Sequence, residues 1–167
     1  MTPLPPPLGQ GEIRLWRLDQ HRHAGSWHSG EGAYRVGGRW NSRGVRVVYA
    51  ALDPATSILE VAVHKGFRVL DTAPHILTCA RITDPSIVHV VRPEDVPNPN
   101  WLVPTTHGPG QQSFGDRLVR EHVFVVIPST VSRYSWNLIF DPGRALDHLD
   151  DVRQERFALD PRLHAPR

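Results

Sequence analysis

Short runs of β-branched and aromatic residues alternate with two segments of helical character along this 167-residue chain. Ile13, Leu15 and Trp16 predict a first strand, and the Val- and Tyr-rich run at 45–51 predicts a second, because such side chains suit a pleated, half-buried surface. Further strands are predicted at residues 75–82, 87–91, 123–127 and 136–140.

The pair Asp53-Pro54 predicts the start of a helix that runs to about Gly66, since aspartate caps a helix and proline fits its first turn. A second helix is predicted over residues 112–121. Residues 21–38 are rich in Gly and His and contain few apolar residues, so they predict a long loop. Together these elements predict an α+β fold of short mixed or antiparallel strands with a few helices.

The length fits one domain, and neither an internal repeat nor a linker divides the chain. The first ten residues are proline-rich and uncharged, which predicts a flexible leader over residues 1–10. We therefore expect a single folded domain over residues 11–167.

Cysteine and hydropathy patterns bear on the compartment. Cys79 is the only cysteine and cannot form an internal disulfide, and the N-terminus lacks the pattern of a signal peptide. No apolar run approaches the roughly 20 residues that a transmembrane helix needs. We expect a cytoplasmic protein that does not associate with membranes.

Charge is nearly balanced, with 19 basic and 17 acidic residues and a net charge of +2. Without a dense basic run, this argues against direct nucleic-acid binding. Lys65 is the only lysine, and a surplus of arginine suits a phosphate-bearing ligand, although a GC-rich genome would produce the same bias. The histidines do not fall at zinc-finger spacing, so no metal site is expected.

Glu60 is a carboxylate among apolar neighbours of the first predicted helix, so it is expected to be partly buried. A buried carboxylate needs a partner or a chemical purpose. It could pair with an arginine, it could share a narrow polar edge with Thr56 and His64, or it could serve catalysis. The residues alone leave these alternatives open.

The segment Gly37-Gly38-Arg39-Trp40-Asn41 combines glycines that allow close backbone approach with a guanidinium, an aromatic plane and an amide. That set suits a nucleotide, but it lacks the Rossmann and P-loop spacings. The alternative is a glycine turn beside a core tryptophan. Ser129 follows a predicted strand without a nucleophile elbow, and by pattern alone it is a turn residue.

Six short segments, taken in chain order, closely resemble the RES domain, a family named for its arginine, glutamate and serine. The resemblance spans about residues 13–163. The segments are Trp16-Arg17, Gly37-Gly38-Arg39-Trp40-Asn41, Tyr49-Ala50-Ala51, Leu59-Glu60-Val61, Ile127-Pro128-Ser129 and Asn137-Leu138-Ile139.

The resemblance implies a fold similar to the ADP-ribosyltransferases and a role as the toxin of a bacterial toxin–antitoxin pair. It implies NAD+ as a substrate, not as a prosthetic group, with ADP-ribose passed to water or phosphate. The implied partner is an Xre-type helix-turn-helix antitoxin, and self-association into a homo-oligomer is left open. Two alternatives are a protein ADP-ribosyltransferase that acts on a specific host enzyme and a non-catalytic partner of an Xre-type repressor.

By position, the resemblance implies that Arg17 and Arg39 bind NAD+ and that Tyr49 lines the nicotinamide end. Glu60 is the implied central carboxylate and Ser129 a supporting hydroxyl, so the implied catalytic set is Glu60, Arg39, Tyr49 and Ser129. Cleavage of the nicotinamide–ribose bond requires only one carboxylate. Nicotinamide leaves as a neutral base and needs no general acid, unlike the leaving group of an ordinary glycoside.

Overall fold

A computed structural model describes residues 12–163. The expected leader over residues 1–10 lies outside the described residues, so the predicted domain limits of 11 and 167 stay predictions. Between residues 12 and 163 no helix is long and apolar enough to cross a membrane.

Within the described residues, seven strands form one sheet in the order β4-β5-β6-β2-β1-β3-β7. The strands β4 and β5 pair in parallel, and the other neighbours are antiparallel. The fold is therefore α+β with a mixed sheet, as predicted. The strands are β1 (Ile13–Gln20), β2 (Val48–Ala51), β3 (His75–Ile82), β4 (Val88–Val90), β5 (Phe124–Pro128), β6 (Trp136–Phe140) and β7 (Leu149–Phe157).

The helices of residues 12–163 are α1 (Glu31–Val36), α2 (Pro54–Lys65), α3 (Phe67–Thr72), α4 (Pro109–Glu121) and α5 (Pro142–Ala145). The predicted cap of α2 is confirmed, because Asp53 Oδ1 accepts a 2.8 Å hydrogen bond from the Thr56 backbone N–H. That helix ends at Gly66, whose φ of 81° is a conformation that favours glycine.

The predicted loop over residues 21–38 is wrong in detail, because it contains a 3-10 turn (His21–Ser26) and α1. Trp27, only 6% exposed, anchors this segment in the hydrophobic core. The strand β7 and the helix α3 were not predicted. Most of β7 is exposed at the sheet edge, so its sequence carries no apolar alternation.

The core occupies both faces of the sheet, because alternate side chains of a strand point to opposite faces. On one face, Ile13, Leu138 and Phe140 belong to the largest cluster of buried residues. On the other face, α4 and the turn at Trp40 cover a second cluster that includes Ile139. The helix α2 packs across β1, β2 and β6, and its inner side forms one wall of a cavity.

Candidate active site

A cavity of about 470 Å³ lies between α2, the strands β1 and β2, and the glycine turn at residues 37–41. Polar and charged side chains from several separate segments line it. They are Arg17, Asp19, Arg39, Tyr49, Ser57, Glu60, His64, Lys65, His107, Thr130 and Asn137. A concave site with convergent polar groups is where a ligand is expected to bind.

Glu60 projects from α2 into this cavity, and its side chain is 19% exposed. Its Oε1 accepts hydrogen bonds from Ser129 Oγ at 2.8 Å and from Asn137 Nδ2 at 2.6 Å. Its Oε2 lies 3.7 Å from His64 Nε2, one helical turn further along α2. One carboxylate oxygen is therefore fixed by two donors, and the other is available to a ligand.

Opposing effects act on the pKa of Glu60. Burial is the largest single influence and raises this pKa, but the proximity of His64 and the hydrogen bonds from Asn137 and Ser129 together lower it below its ordinary value. The carboxylate is therefore ionised at neutral pH. A fixed negative charge in a partly buried site suits the stabilisation of a developing positive charge.

The partners of Glu60 bear on two of the alternatives that the sequence left open, the ion pair with an arginine and the polar edge of the helix. Among the described residues, no arginine forms an ion pair with it. The hydroxyl of Thr56 donates instead to Asp53 Oδ2 at 2.6 Å, so the expected polar edge of α2 is limited to Glu60 and His64.

Tyr49, on β2, lines the cavity. Its hydroxyl donates to Asn41 Oδ1 at 2.7 Å and accepts from the backbone N–H of Trp40 at 2.9 Å. Burial raises the pKa of Tyr49 well above its ordinary value, so the phenol is neutral. The hydroxyl is thus used to hold the glycine turn, and the ring face is what a ligand would meet.

The glycine turn has little room for side chains on its first residues. Gly37 has a φ of 77°, and a Cβ on Gly38 would lie 2.7 Å from the Tyr49 hydroxyl oxygen. Asn41 is fully buried and donates from Nδ2 to the carbonyls of Ala33 and Val45. These contacts fix the turn that carries Arg39 and Trp40.

The geometry of residues 37–41 is compatible both with a nucleotide-binding segment and with a glycine turn beside a core tryptophan. Trp40 is a core residue, 2% exposed and packed against Phe114. The adjacent Gly38 and Arg39 line the cavity. The turn therefore packs one side chain into the core and presents its neighbours to the cavity.

Arg39 is anchored to a neighbouring loop. Its Nη2 donates to the Thr105 carbonyl at 2.9 Å and its Nη1 to the Trp101 carbonyl at 3.4 Å. Burial lowers the pKa of this half-buried guanidinium, although the charge of Glu60 opposes that shift. A guanidinium has five N–H donors, so donors remain for a ligand in the cavity.

Arg17, on β1, is committed more fully to protein partners. Its Nε and Nη2 form a two-pronged ion pair with the Asp19 carboxylate, with both distances 2.9 Å. Its Nη1 donates to the Tyr49 carbonyl at 2.6 Å. Arg17 therefore stabilises the strand that carries Tyr49, and it also lines the cavity.

A comparison with known families matches residues 14–160 to the RES domain. The chain belongs to the RES domain family. The match covers most of the 167 residues, and it confirms the resemblance on which the sequence analysis relied.

This RES domain is similar to curated bacterial proteins along nearly their whole length. It is 28% identical to "Toxin Res" of Pseudomonas putida over 151 residues, which cover 89% of this chain and 98% of that protein. It is 29% identical to "Toxin Res" of Photorhabdus laumondii, covering 89% of this chain and 96% of that protein. A protein of Sphingobium named "Prs ADP-ribosylating toxin" is 29% identical, covering 89% and 95%.

A solved structure also resembles this RES domain. The match is to a chain in the crystal structure of the MbcT–MbcA toxin–antitoxin complex of M. tuberculosis, with a TM-score of 0.70 and 21% identity. It covers 89% of this chain and 85% of that chain. At this identity the comparison supports the fold.

The five predicted site residues converge in this RES domain. Arg17, Arg39, Tyr49 and Glu60 line the cavity, and Ser129 contacts Glu60 from the end of β5. Their roles toward a ligand stay predictions. Between residues 12 and 163 no group of three or more His, Cys, Asp or Glu side chains is arranged to hold a metal ion.

Two residues that contact Glu60 were not predicted as site residues. The helical spacing of His64, four positions after Glu60, had indicated only a possible polar edge of the helix. Asn137 is 77 residues away, and it reaches Glu60 because β6 pairs with β2 next to α2. No local pattern predicts that contact.

Proposed function

We propose that this RES domain is the toxin of a toxin–antitoxin pair and that it cleaves the nicotinamide–ribose bond of NAD+. ADP-ribose is then passed to water or phosphate. The observation that carries the proposal is the ionised Glu60, fixed through Oε1 by Ser129 and Asn137 with Oε2 available in a nucleotide-sized cavity.

The chemistry of NAD+ suits a site with one central carboxylate. Nicotinamide departs with the electron pair of the C–N bond and becomes neutral, so no side chain has to protonate it. Positive charge develops on the ribose as the bond breaks. Glu60 Oε2 would stabilise that charge, and because Oε1 is already hydrogen-bonded, little reorganisation is needed at the moment of reaction.

The other predicted residues fit parts of the same substrate. The ring face of Tyr49 would contact the nicotinamide, and the free donors of Arg39 would bind pyrophosphate oxygens. Arg17, whose guanidinium is largely used by Asp19 and Tyr49, would add a weaker contact. The protein would act in the cytoplasm, where NAD+ is abundant. An Xre-type antitoxin would keep the protein inactive.

Nicotinamide release from NAD+ by the purified chain tests this function. The wild type should release nicotinamide, and Glu60→Gln should reduce turnover at least about a hundredfold, which corresponds to about 2.7 kcal/mol of barrier. Glu155→Gln, an exposed change on β7, serves as the matched control and should keep full turnover. A folded Glu60→Gln variant with normal turnover would remove the carboxylate from the mechanism.

A second candidate is a protein ADP-ribosyltransferase that uses the same cavity. It is favoured by the name of the Sphingobium relative, "Prs ADP-ribosylating toxin". The products separate the two functions, since one yields free or phosphorylated ADP-ribose and the other yields labelled protein. A chain that is inert toward NAD+ with and without phosphate would instead be a non-catalytic partner of an Xre-type repressor.

A further inference from the structure

His64 lines the cavity and has no role in the proposed cleavage step. It is carried by α2 one turn after Glu60, with its Nε2 3.7 Å from Glu60 Oε2. Its side chain is 68% exposed and still lines the cavity. It can therefore contact both a bound acceptor and bulk solvent.

Loss of nicotinamide completes only half of the reaction. When water attacks the ribose carbon, a C–O bond forms and the water must lose a proton. Glu60 is a poor acceptor for this proton, because its Oε1 is engaged by two donors and its Oε2 is the oxygen assigned to the ribose cation. Imidazole is the side chain best suited to general-base catalysis near neutral pH.

We propose that His64 is the base that deprotonates the acceptor water in this site. The proposal rests on the proposed NAD+ cleavage. The water oxygen bonds to the ribose carbon and its proton moves to His64 Nε2, while the C–N electron pair has left with nicotinamide. The products are ADP-ribose, nicotinamide and one proton, which the exposed imidazole releases to solvent.

The distance between His64 and Glu60 would let one carboxylate stabilise two positive charges that form one after the other. While the C–N bond breaks, the cation that faces Glu60 Oε2 is the ribose. After water attacks, the cation is the imidazolium of His64, 3.7 Å from the same oxygen. Glu60 thus stabilises a neighbouring positive charge in both halves of the reaction without moving.

Other charged or titratable groups line the same cavity as His64. They are Glu60 and Lys65 on α2, Arg17 and Asp19 on β1, Arg39 on the glycine turn and His107 in the segment before α4. Among them, Glu60 forms the ion-pair contact with His64.

The choice of acceptor gives a sharp test. Water needs a base, whereas the phosphate dianion attacks through an oxygen that bears no proton. His64→Gln should therefore lose hydrolysis by about 10²-fold or more at pH 8 yet retain most phosphorolysis. With both acceptors present, its product should shift from ADP-ribose toward ADP-ribose phosphate, a change that a purely structural role would not cause.

Two further variants complete the experiment. His64→Lys keeps a cation beside Glu60 but stays protonated, so it should be as defective in hydrolysis as His64→Gln. His23→Gln, an exposed change outside the cavity, should behave as wild type.

Each remaining outcome counts against a specific claim. Full hydrolysis by His64→Gln, equal losses with water and phosphate, or restored hydrolysis in His64→Lys would each overturn the role of His64. In those cases, Glu60-dependent release of nicotinamide by the wild type would leave the proposed function intact. A wild type that releases no nicotinamide with either acceptor would overturn the proposed function and this inference together.

Discussion

Ser129 Oγ donates a 2.8 Å hydrogen bond to Glu60 Oε1 across 69 residues of sequence. The same oxygen accepts the backbone N–H groups of Val131 and Ser132, both at 3.1 Å. A hydroxyl has one proton and two lone pairs, so the two N–H groups occupy its acceptor sites and direct its proton to the carboxylate. The turn after β5 thereby orients a residue of α2.

Replacing Ser129 by alanine should therefore weaken both the turn and the site. Two backbone N–H groups lose their acceptor and Glu60 loses a donor, so the free energy of unfolding should fall by about 1–3 kcal/mol. Turnover of NAD+ should fall about tenfold or more, since Glu60 is held less firmly. Urea denaturation and steady-state kinetics measure the two effects.

Ser132→Ala is the control within the same turn, because Ser132 Oγ bonds to Ser135 and not to Glu60. It should leave NAD+ turnover close to that of the wild type. If both variants lost turnover equally, the turn as a whole would matter and the bond from Ser129 to Glu60 would not.

The lowered pKa of Glu60 also predicts how stability depends on pH. Its folded-state pKa lies below the unfolded value, so its ionisation stabilises the fold above the unfolded pKa of about 4.3. That contribution is lost as pH falls through the folded-state pKa. Glu60→Gln lacks it, so its free energy of unfolding should decline less steeply below about pH 4.3.

Urea denaturation between pH 6 and pH 3 checks this prediction. The wild type and the Glu155→Gln control should decline in parallel, because Glu155 is exposed on β7. Parallel curves for the wild type and Glu60→Gln would show that the contacts of Glu60 with Ser129 and Asn137 do not favour its ionised form.

The elements that could be predicted from the sequence are those whose buried apolar side chains recur at the spacing of a strand or a helix. The strand β3 was predicted with its observed limits, and α2 was placed from its Asp53-Pro54 start. The strand β7 was missed, because an exposed edge strand is held by backbone pairing with β3 and by ion pairs such as Arg81 with Asp150. Such contacts leave no hydrophobic period in the sequence.

The same distinction applies to the site. Glu60 could be singled out from the sequence because a carboxylate is unusual among the apolar residues of a helix. Asn137 contacts the same carboxylate but sits on a strand of ordinary appearance, and only the pairing of β6 with β2 places it there. The resemblance to the RES domain supplied Ser129, whose local pattern predicted only a turn.

Gly115 on α4 lies against the backbone of the glycine turn. A Cβ at this position would lie 1.9 Å from the Trp40 carbonyl oxygen, so Gly115→Ala forces α4 and the turn apart. We expect a loss of stability of about 1–3 kcal/mol, typical of overpacking, together with impaired turnover, because Trp40 adjoins Arg39. Thermal unfolding and NAD+ kinetics measure both.

Gly108→Ala is the matched change just before α4, where an added Cβ meets no atom within 4 Å. It should leave stability and turnover nearly unchanged. A Gly115→Ala variant as stable as Gly108→Ala would mean that α4 can shift without cost to the turn.

Arg39→Lys tests whether this guanidinium binds the pyrophosphate of NAD+. Arg39 is half-buried and uses two of its five donors on the carbonyls of Trp101 and Thr105, and a lysine ammonium cannot hold both carbonyls and a phosphate in the same fork geometry. If Arg39 binds the substrate equally strongly in the ground state and in the transition state, the KM of Arg39→Lys should rise while its kcat changes little. The expected cost is about 1.5–3 kcal/mol, or roughly a 10- to 150-fold increase in KM.

Glu60→Gln should show the opposite pattern, with kcat reduced, and exposed Arg22→Lys should match the wild type in both constants. Wild-type KM and kcat in a folded Arg39→Lys variant would leave Arg39 as an anchor for the loop at residues 101–105 alone.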